Sequence, residues 1–298
     1  MLRLQLILSC VFIFVNSGFG QVSPEVGMTR FYKELGCKLK SDGGKYPPSY
    51  ECPSFAEATE KTCLVKGKTY QIGDKIPAEP GACLAACVCQ NPFKGKRAQI
   101  TCANIECPEH LGVPLRPHCS RTYSLDKCCA TGYLCDEAAK TTPVDPNDTY
   151  KVIYKSAATA TCNVGGKKYD EHSKYYPDEL PCSRCVCMKG HDGTNKAPWC
   201  TDISCNLELR NGRDIHEGCA PVFIETSRCC PLQFRCPAAD DQVIHNPSPA
   251  KPLTEGPQCT FGKLKLFIGE QVTPPLSDPN MRCSCEVPPF VSCSKATF

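Results

Sequence analysis

A small disulfide-rich, mostly β fold is what this sequence predicts, arranged as tandem two-lobed modules joined by flexible linkers. Three observations lead there. The chain carries 27 cysteines in 298 residues, a density typical of domains that lean on cross-links because their apolar core is too small. The cysteines follow one spacing that is complete twice and partial at each end. Between them the text is short, rich in turn residues and low in helical periodicity.

At the start, Arg3 precedes an apolar run from Leu4 to Val15, followed by Asn16, Ser17 and Gly18-Phe19-Gly20. This is the layout of a secretory signal, so residues 1–20 are expected to be cleaved and the mature protein to be secreted and extracellular. The run is too short to span about 30 Å of hydrocarbon, and no membrane span is expected elsewhere. Cleavage removes Cys10 and leaves an even number of cysteines, which suits full pairing in an oxidising compartment.

Residues 21–53 read as a degenerate carboxy-terminal half of the repeated unit. Gly36-Cys37 echoes Gly218-Cys219, and the ending Ser49-Tyr50-Glu51-Cys52-Pro53 echoes Gln233-Phe234-Arg235-Cys236-Pro237; Lys45-Tyr46 stands where a vicinal cysteine pair is expected. Residues 54–136 are the first full copy, with Cys63, Cys83, Cys87, Cys89, Cys102, Cys107, Cys119, Cys128, Cys129 and Cys135. Within it Gly67-Lys68-Thr69-Tyr70-Gln71-Ile72-Gly73 and Arg97-Ala98-Gln99-Ile100-Thr101-Cys102 suggest short strands. Residues 137–161 contain Pro143 and Pro146 but no cysteine and read as a linker, whose sequon Asn147-Asp148-Thr149 makes Asn147 a candidate glycosylation site.

Residues 162–237 are the second full copy, with Cys162, Cys182, Cys185, Cys187, Cys200, Cys205, Cys219, Cys229, Cys230 and Cys236. First to second cysteine is 20 positions in both copies, fourth to fifth 13, fifth to sixth 5 and ninth to tenth 6, an agreement that marks a duplicated module. Residues 238–258, with Pro247, Pro249, Pro252 and Pro257, form a second linker. Residues 259–298 carry Cys259, Cys283, Cys285 and Cys293, which match positions one, three, four and five and make a partial amino-terminal half.

The broken copies constrain the bridging. If each closes its own cysteines, seven pairs with ten, and one, three, four and five pair among themselves. Two, six, eight and nine then share the rest. Adjacent α-carbons lie 3.8 Å apart, shorter than the usual 4.4–6.8 Å of a bridge, so eight does not pair with nine, and three to four is disfavoured on similar grounds. Two choices remain in each set, four pairings in all.

Composition excludes several function classes. The formal net charge is +3, so nothing demands nucleic acid or an acidic membrane as a partner. Lys94-Gly95-Lys96-Arg97 is a candidate heparan sulfate contact, although such a cluster is more often a solvated turn. Cys182-Ser183-Arg184-Cys185 reads as CxxC, but the second pair or histidines of a zinc finger are missing, and no metal or cofactor is expected. The sequence holds no GxSxG, HExxH or P-loop, so no enzyme is expected.

The cysteine series, with its merged CxxxC or CxxC and CxC, its vicinal pair, and Gly67-x-x-Tyr70-x-x-Gly73 after the first cysteine, resembles the von Willebrand factor type C (VWC) module of chordin-like extracellular proteins. The resemblance covers most of the mature chain. It implies bridges one to four, three to five, two to eight, six to nine and seven to ten: Cys63–Cys89, Cys87–Cys102, Cys83–Cys128, Cys107–Cys129 and Cys119–Cys135, with the corresponding set in the second copy. The chain departs from the family in having Ile76-Pro77 and Tyr176-Pro177 where a tryptophan is common, and His172 in place of the glycine equivalent to Gly73.

Several relatives bind growth factors of the transforming growth factor β and bone morphogenetic protein (TGF-β/BMP) class through the amino-terminal lobe. The resemblance therefore implies extracellular proteins as partners and points to Ile72, Ile76, Tyr169, Tyr175, Tyr176 and Leu180 as contacts. For each of these the competing reading is apolar cover for a small hairpin. An extracellular matrix or structural protein without a growth-factor ligand is the alternative function, and a protease inhibitor a lesser one.

Overall fold

In a computed structural model of the chain the described residues are 24–40, 48–53, 59–78, 82–91, 97–141, 150–224, 229–245 and 255–295. The expected signal with Cys10, the sequon at Asn147, and Lys94, Gly95 and Lys96 lie outside them. The fold is small-stranded, disulfide-rich and mostly β, with two α-helices among the described residues.

One strand pattern occurs three times. A tight hairpin comes first: Thr62–Val65 with Lys68–Gln71, Thr161–Val164 with Lys167–Asp170, and Gln258–Phe261 with Leu264–Phe267. A three-stranded antiparallel meander follows: Lys75–Ile76, Leu84–Gln90 and Gln99–Asn104; Lys174–Tyr175, Ser183–Val186 and Cys200–Asp202; Gln271–Val272, Met281–Ser284 and Ser292–Lys295. The hairpin tips need left-handed backbone, supplied by Lys66-Gly67 and by Gly165-Gly166, the arrangement that matches the natural twist of paired strands.

The turn between hairpin and meander is also left-handed, at Gly73 (φ 93), His172 (φ 64) and Gly269 (φ 94). Each of the three donates its N–H to the carbonyl of the fourth cysteine of its lobe, Cys89, Cys187 or Cys285. The second copy thus holds a histidine in a conformation that costs a side-chain-bearing residue about 1–2 kcal/mol. The first copy has one more residue than the second between its second and third cysteines, and the extra residue is absorbed as a register shift between Leu84 and Ala86.

Thirteen disulfides join all the cysteines after Cys10. In the first copy they are Cys63–Cys89, Cys83–Cys128, Cys87–Cys102, Cys107–Cys129 and Cys119–Cys135. In the second they are Cys162–Cys187, Cys182–Cys229, Cys185–Cys200, Cys205–Cys230 and Cys219–Cys236. The end segments contribute Cys37–Cys52, Cys259–Cys285 and Cys283–Cys293.

The carboxy-terminal lobes are hairpins: Lys38–Lys40 with Ser49–Glu51, Cys119–Thr122 with Gly132–Cys135, and Ala220–Ile224 with Gln233–Arg235. The described parts of the linkers include a 3-10 helix, Glu137–Thr141, and two short paired stretches. Lys151–Tyr154 runs parallel to Gly132–Cys135, and Val243–Ile244 pairs with Gln271–Val272. Strand Ser292–Lys295 runs parallel to Ala220–Ile224, so the second copy and the terminal half share one six-stranded sheet.

The helices are α1, Pro24–Glu34, and α2, Leu207–His216. Low helical periodicity gave no expectation of α2 within the second copy; the helix owes its place to tertiary packing of Leu207, Leu209 and Ile215, all buried. Both helices stop in the same way. Cys37 N–H bonds Tyr32 O and Gly36 N–H bonds Lys33 O, while Cys219 N–H bonds Asp214 O and Gly218 N–H bonds Ile215 O. These are Schellman stops, each requiring left-handed backbone at the residue after the cap, here Gly36 (φ 71) and Gly218 (φ 74). The Gly-Cys echo visible in the sequence is therefore a helix stop that delivers a cysteine into its strand.

Candidate interaction surfaces

The six expected contact residues divide by burial. Ile76 is 3% exposed and packs with Cys63, Val65, Leu84 and Cys87 in the interior of the first amino-terminal lobe. Tyr175 is 4% exposed; its ring stacks on half-buried Tyr169 at 4.3 Å, and its hydroxyl bonds His191 Nε2 and Asn195 Oδ1. Burial raises that hydroxyl above the usual tyrosine value. Ile76 and Tyr175 are buried and face no solvent in this arrangement of the chain. Ile72, Tyr176 and Leu180 are exposed, at 47%, 38% and 40%.

Tyr176 stands beside the seam between the two full copies, and Leu180 lies in the turn that follows it. Across it Tyr123 N–H bonds His172 O at 2.9 Å, and Arg184 donates to the carbonyls of Leu125 and Lys127. The Lys174 ammonium sits 4.1 Å from the centre of the Tyr123 ring and 6.0 Å from that of Tyr176. Burial and then Arg184 depress the pKa of Lys174. Lys155 bridges Asp136 and Asp170, and chiefly the bond to Asp170 holds its ammonium above the usual lysine value. The seam thus carries aromatic and cationic groups from both copies.

A second cluster lies where α1 meets α2. Arg30 pairs with Glu34 at 3.1 Å and with Asp202 at 3.0 Å, and Lys33 reaches Asp202 at 2.7 Å. Lys33, then Arg30, hold the Asp202 carboxyl below its ordinary range. Glu34 accepts from the N–H groups of Cys205 and Leu207 at the start of α2. Next to it Glu208, 5% exposed, accepts from Lys66 N–H at 2.6 Å. Burial pushes Glu208 up to about 7, partly offset by Lys66. A cavity of about 470 Å³ lies alongside, lined by Val65, Ile76 and Leu209 and rimmed by Lys66, Lys68 and Glu208.

Sequence reasoning passed over this cluster. Its acids and bases come from residues 30–34, 202 and 208, which no short motif connects. Among the described residues two groups of three cysteines and one of Asp214 with Cys219 and Cys236 lie within metal-ligand distance, but every cysteine in them is bridged and offers no thiolate. Among the described residues no helix is long and apolar enough to cross a membrane. No family model matches this chain, and no solved structure matches it.

Proposed function

We propose that this chain is a secreted, extracellular protein-binding protein built of VWC-type modules, and that its partners are dimeric growth factors of the TGF-β/BMP class. One observation carries the reading. Both full copies bridge one to four, three to five, two to eight, six to nine and seven to ten, the pairing of the family that the spacing resembles. The exposed Tyr176, with the Lys174 ammonium 6.0 Å from its ring, is an aromatic group of the kind that anchors protein contacts, and Leu180 is exposed in the turn that follows it.

The test is saturable binding of the fully bridged protein to a panel of such growth factors at physiological salt, with the double substitution Tyr176→Ala and Leu180→Ala as control. Saturable binding weakened about tenfold or more by the control supports the reading. Absence of saturable binding to any member ends it. A matrix or structural role is the second reading, favoured by the seam and the shared sheet, which fix the copies to one another. It expects binding to matrix proteins and none to the growth factors.

A further inference from the structure

The segment between the sixth and seventh cysteines has different fates in the two copies. In the first copy it has no α-helix and its flanks and body are open, with Ile105, Leu111, Val113 and Leu115 between 40% and 64% exposed. In the second it is α2, whose Leu207 and Ile215 stay in the cluster of Phe223 and α1 and whose other side reaches out of its own copy. Leu209 enters the apolar cluster of the first copy's amino-terminal lobe, with Val65, Ile76 and Leu84. Glu208 takes the N–H of Lys66 at that lobe's hairpin tip.

The first turn of α2 is also completed from outside. Asn206 stands in left-handed backbone and makes no side-chain cap bond, leaving the first N–H groups of the helix to another acceptor. Glu34 of α1, held in place by Arg30, accepts from the first of these, Leu207 N–H, and from Cys205 N–H just before the helix. Every bridge of the first copy closes within it, so no sulfur ties α2 to the lobe it covers.

We propose that α2 is a releasable lid over the Val65–Ile76 face of the first amino-terminal lobe, latched by Glu34 of α1, and that release makes this face available to an extracellular protein partner. The partner class rests on the function proposed above; the lid does not. The lid is pH-sensitive. Closure buries Glu208 and favours its protonated form, so the Glu208 contribution to closure is fully present below the ordinary carboxylate range and is lost as pH rises through about 7. Lys66 and Lys68 from the hairpin and Glu34 from α1 face the same crevice. At the far end of α2, burial and then Arg97 hold the His216 imidazole below its usual value, so its protonation opposes closure at the acid end.

Hydrogen exchange on the full mature chain, corrected for intrinsic rates, tests the lid between about pH 6 and about pH 8. The expected result is exchange in Leu207–His216 and Gln99–Asn104 about tenfold faster at the upper pH, with Glu208→Gln flattening that dependence and Leu209→Asp opening both segments while the thirteen bridges remain intact. Glu34→Gln, a gentler change, raises exchange in α2 at both ends of the range. Unchanged protection in Leu209→Asp and Glu34→Gln overturns the lid, as does a pH response that survives in Glu208→Gln. Growth-factor capture is read in parallel. Gain of capture on opening supports masking, and equal capture by open and closed chains overturns it. An opened α2 with no capture by any form supports the lid and retires the growth-factor reading.

Discussion

Two kinds of interior hold this molecule together. In the amino-terminal lobe of the second copy the buried cluster is largely sulfur: Cys162, Cys185 and Cys187 with Val164 and Tyr175. Around α1 it is aromatic and aliphatic. Met28, Phe31, Tyr32 and Leu35 pack with Leu207, Ile215 and Phe223, and Tyr50, Phe234 and Phe290 close the shell. Sulfur draws on cysteines of one copy, so it fixes each copy by itself. The aromatic hub draws on four distant stretches of chain, and so fixes how the lobes sit together. Tyr32 shows the second role: its hydroxyl donates to Val287 O and accepts from Phe290 N–H, joining the first described helix to the terminal half.

Breaking the sulfur side gives the largest effect. Cys83–Cys128 closes a separation of 45 residues and ties the two lobes of the first copy. Its loss costs about 4 kcal/mol by the chain-entropy relation and leaves Cys83 free to mispair. Cys128→Ser is expected to be retained or misfolded, read as secreted yield and non-reducing mobility. Normal secretion of a uniquely folded Cys128→Ser protein would show the staple to be dispensable.

Breaking the hub comes next. Phe31, 1% exposed, meets Tyr32, Phe234 and Phe290. Phe31→Ala is expected to cost about 3–5 kcal/mol, yet all thirteen bridges should form, because each lies within a lobe or between lobes of one copy. Peptide mapping and exchange on one sample separate the two: native pairing with α1 unprotected. Scrambled pairing in Phe31→Ala would mean that the hub guides disulfide formation and that the two interiors are not independent.

Gly27→Ala perturbs the hub more gently. A Cβ at Gly27 comes 2.5 Å from Cε1 of Phe223, so α1 and the strand bearing Phe223 meet only because this position has no side chain. Alanine improves helix propensity by about 1 kcal/mol, while overpacking against a buried ring costs about 1–3 kcal/mol. The balance is a lower melting temperature, measured by calorimetry. A rise would show that the Phe223 ring swings aside freely.

The sulfur side was far more legible in the sequence than the hub. Cysteine positions are discrete, and two broken copies beside two whole ones narrow the pairings to four by spacing and bridge geometry alone. The strands were partly legible, through alternation around Tyr70 in the hairpin and Ile100 in the meander. The hub was written differently. Met28, Phe31, Tyr32 and Leu35 stand at i, i+3, i+4 and i+7, a helical stripe, but it precedes Gly36-Cys37 and so falls outside a frame drawn by cysteines. The α2 signal is weaker still: Asn211 and Gly212 interrupt it, the backbone kinks at Asn211, and the residues that justify it lie on the first copy and on α1. The buried carboxylates Glu34 and Glu208 look like surface acids in the sequence, since only the meeting of distant elements buries them.

The smallest expected effect probes a residue that belongs to neither interior. Leu180 is 40% exposed in the turn that precedes the strand bearing Cys185 and Arg184, and is absent from both the sulfur and the aromatic clusters. Leu180→Ala should therefore change stability by no more than about 0.5 kcal/mol, the range of ordinary surface substitutions, as read by chemical denaturation with all bridges intact. A loss several times larger would show that the turn packs into the second copy's lobe and is spoken for structurally. A neutral result leaves a leucine held at the surface beside Tyr176 with no stability reason for being there, which is the condition a contact residue must meet. Measured on the same sample, weakened growth-factor capture by Leu180→Ala would then be a binding effect alone, since neither the sulfur nor the hub has moved.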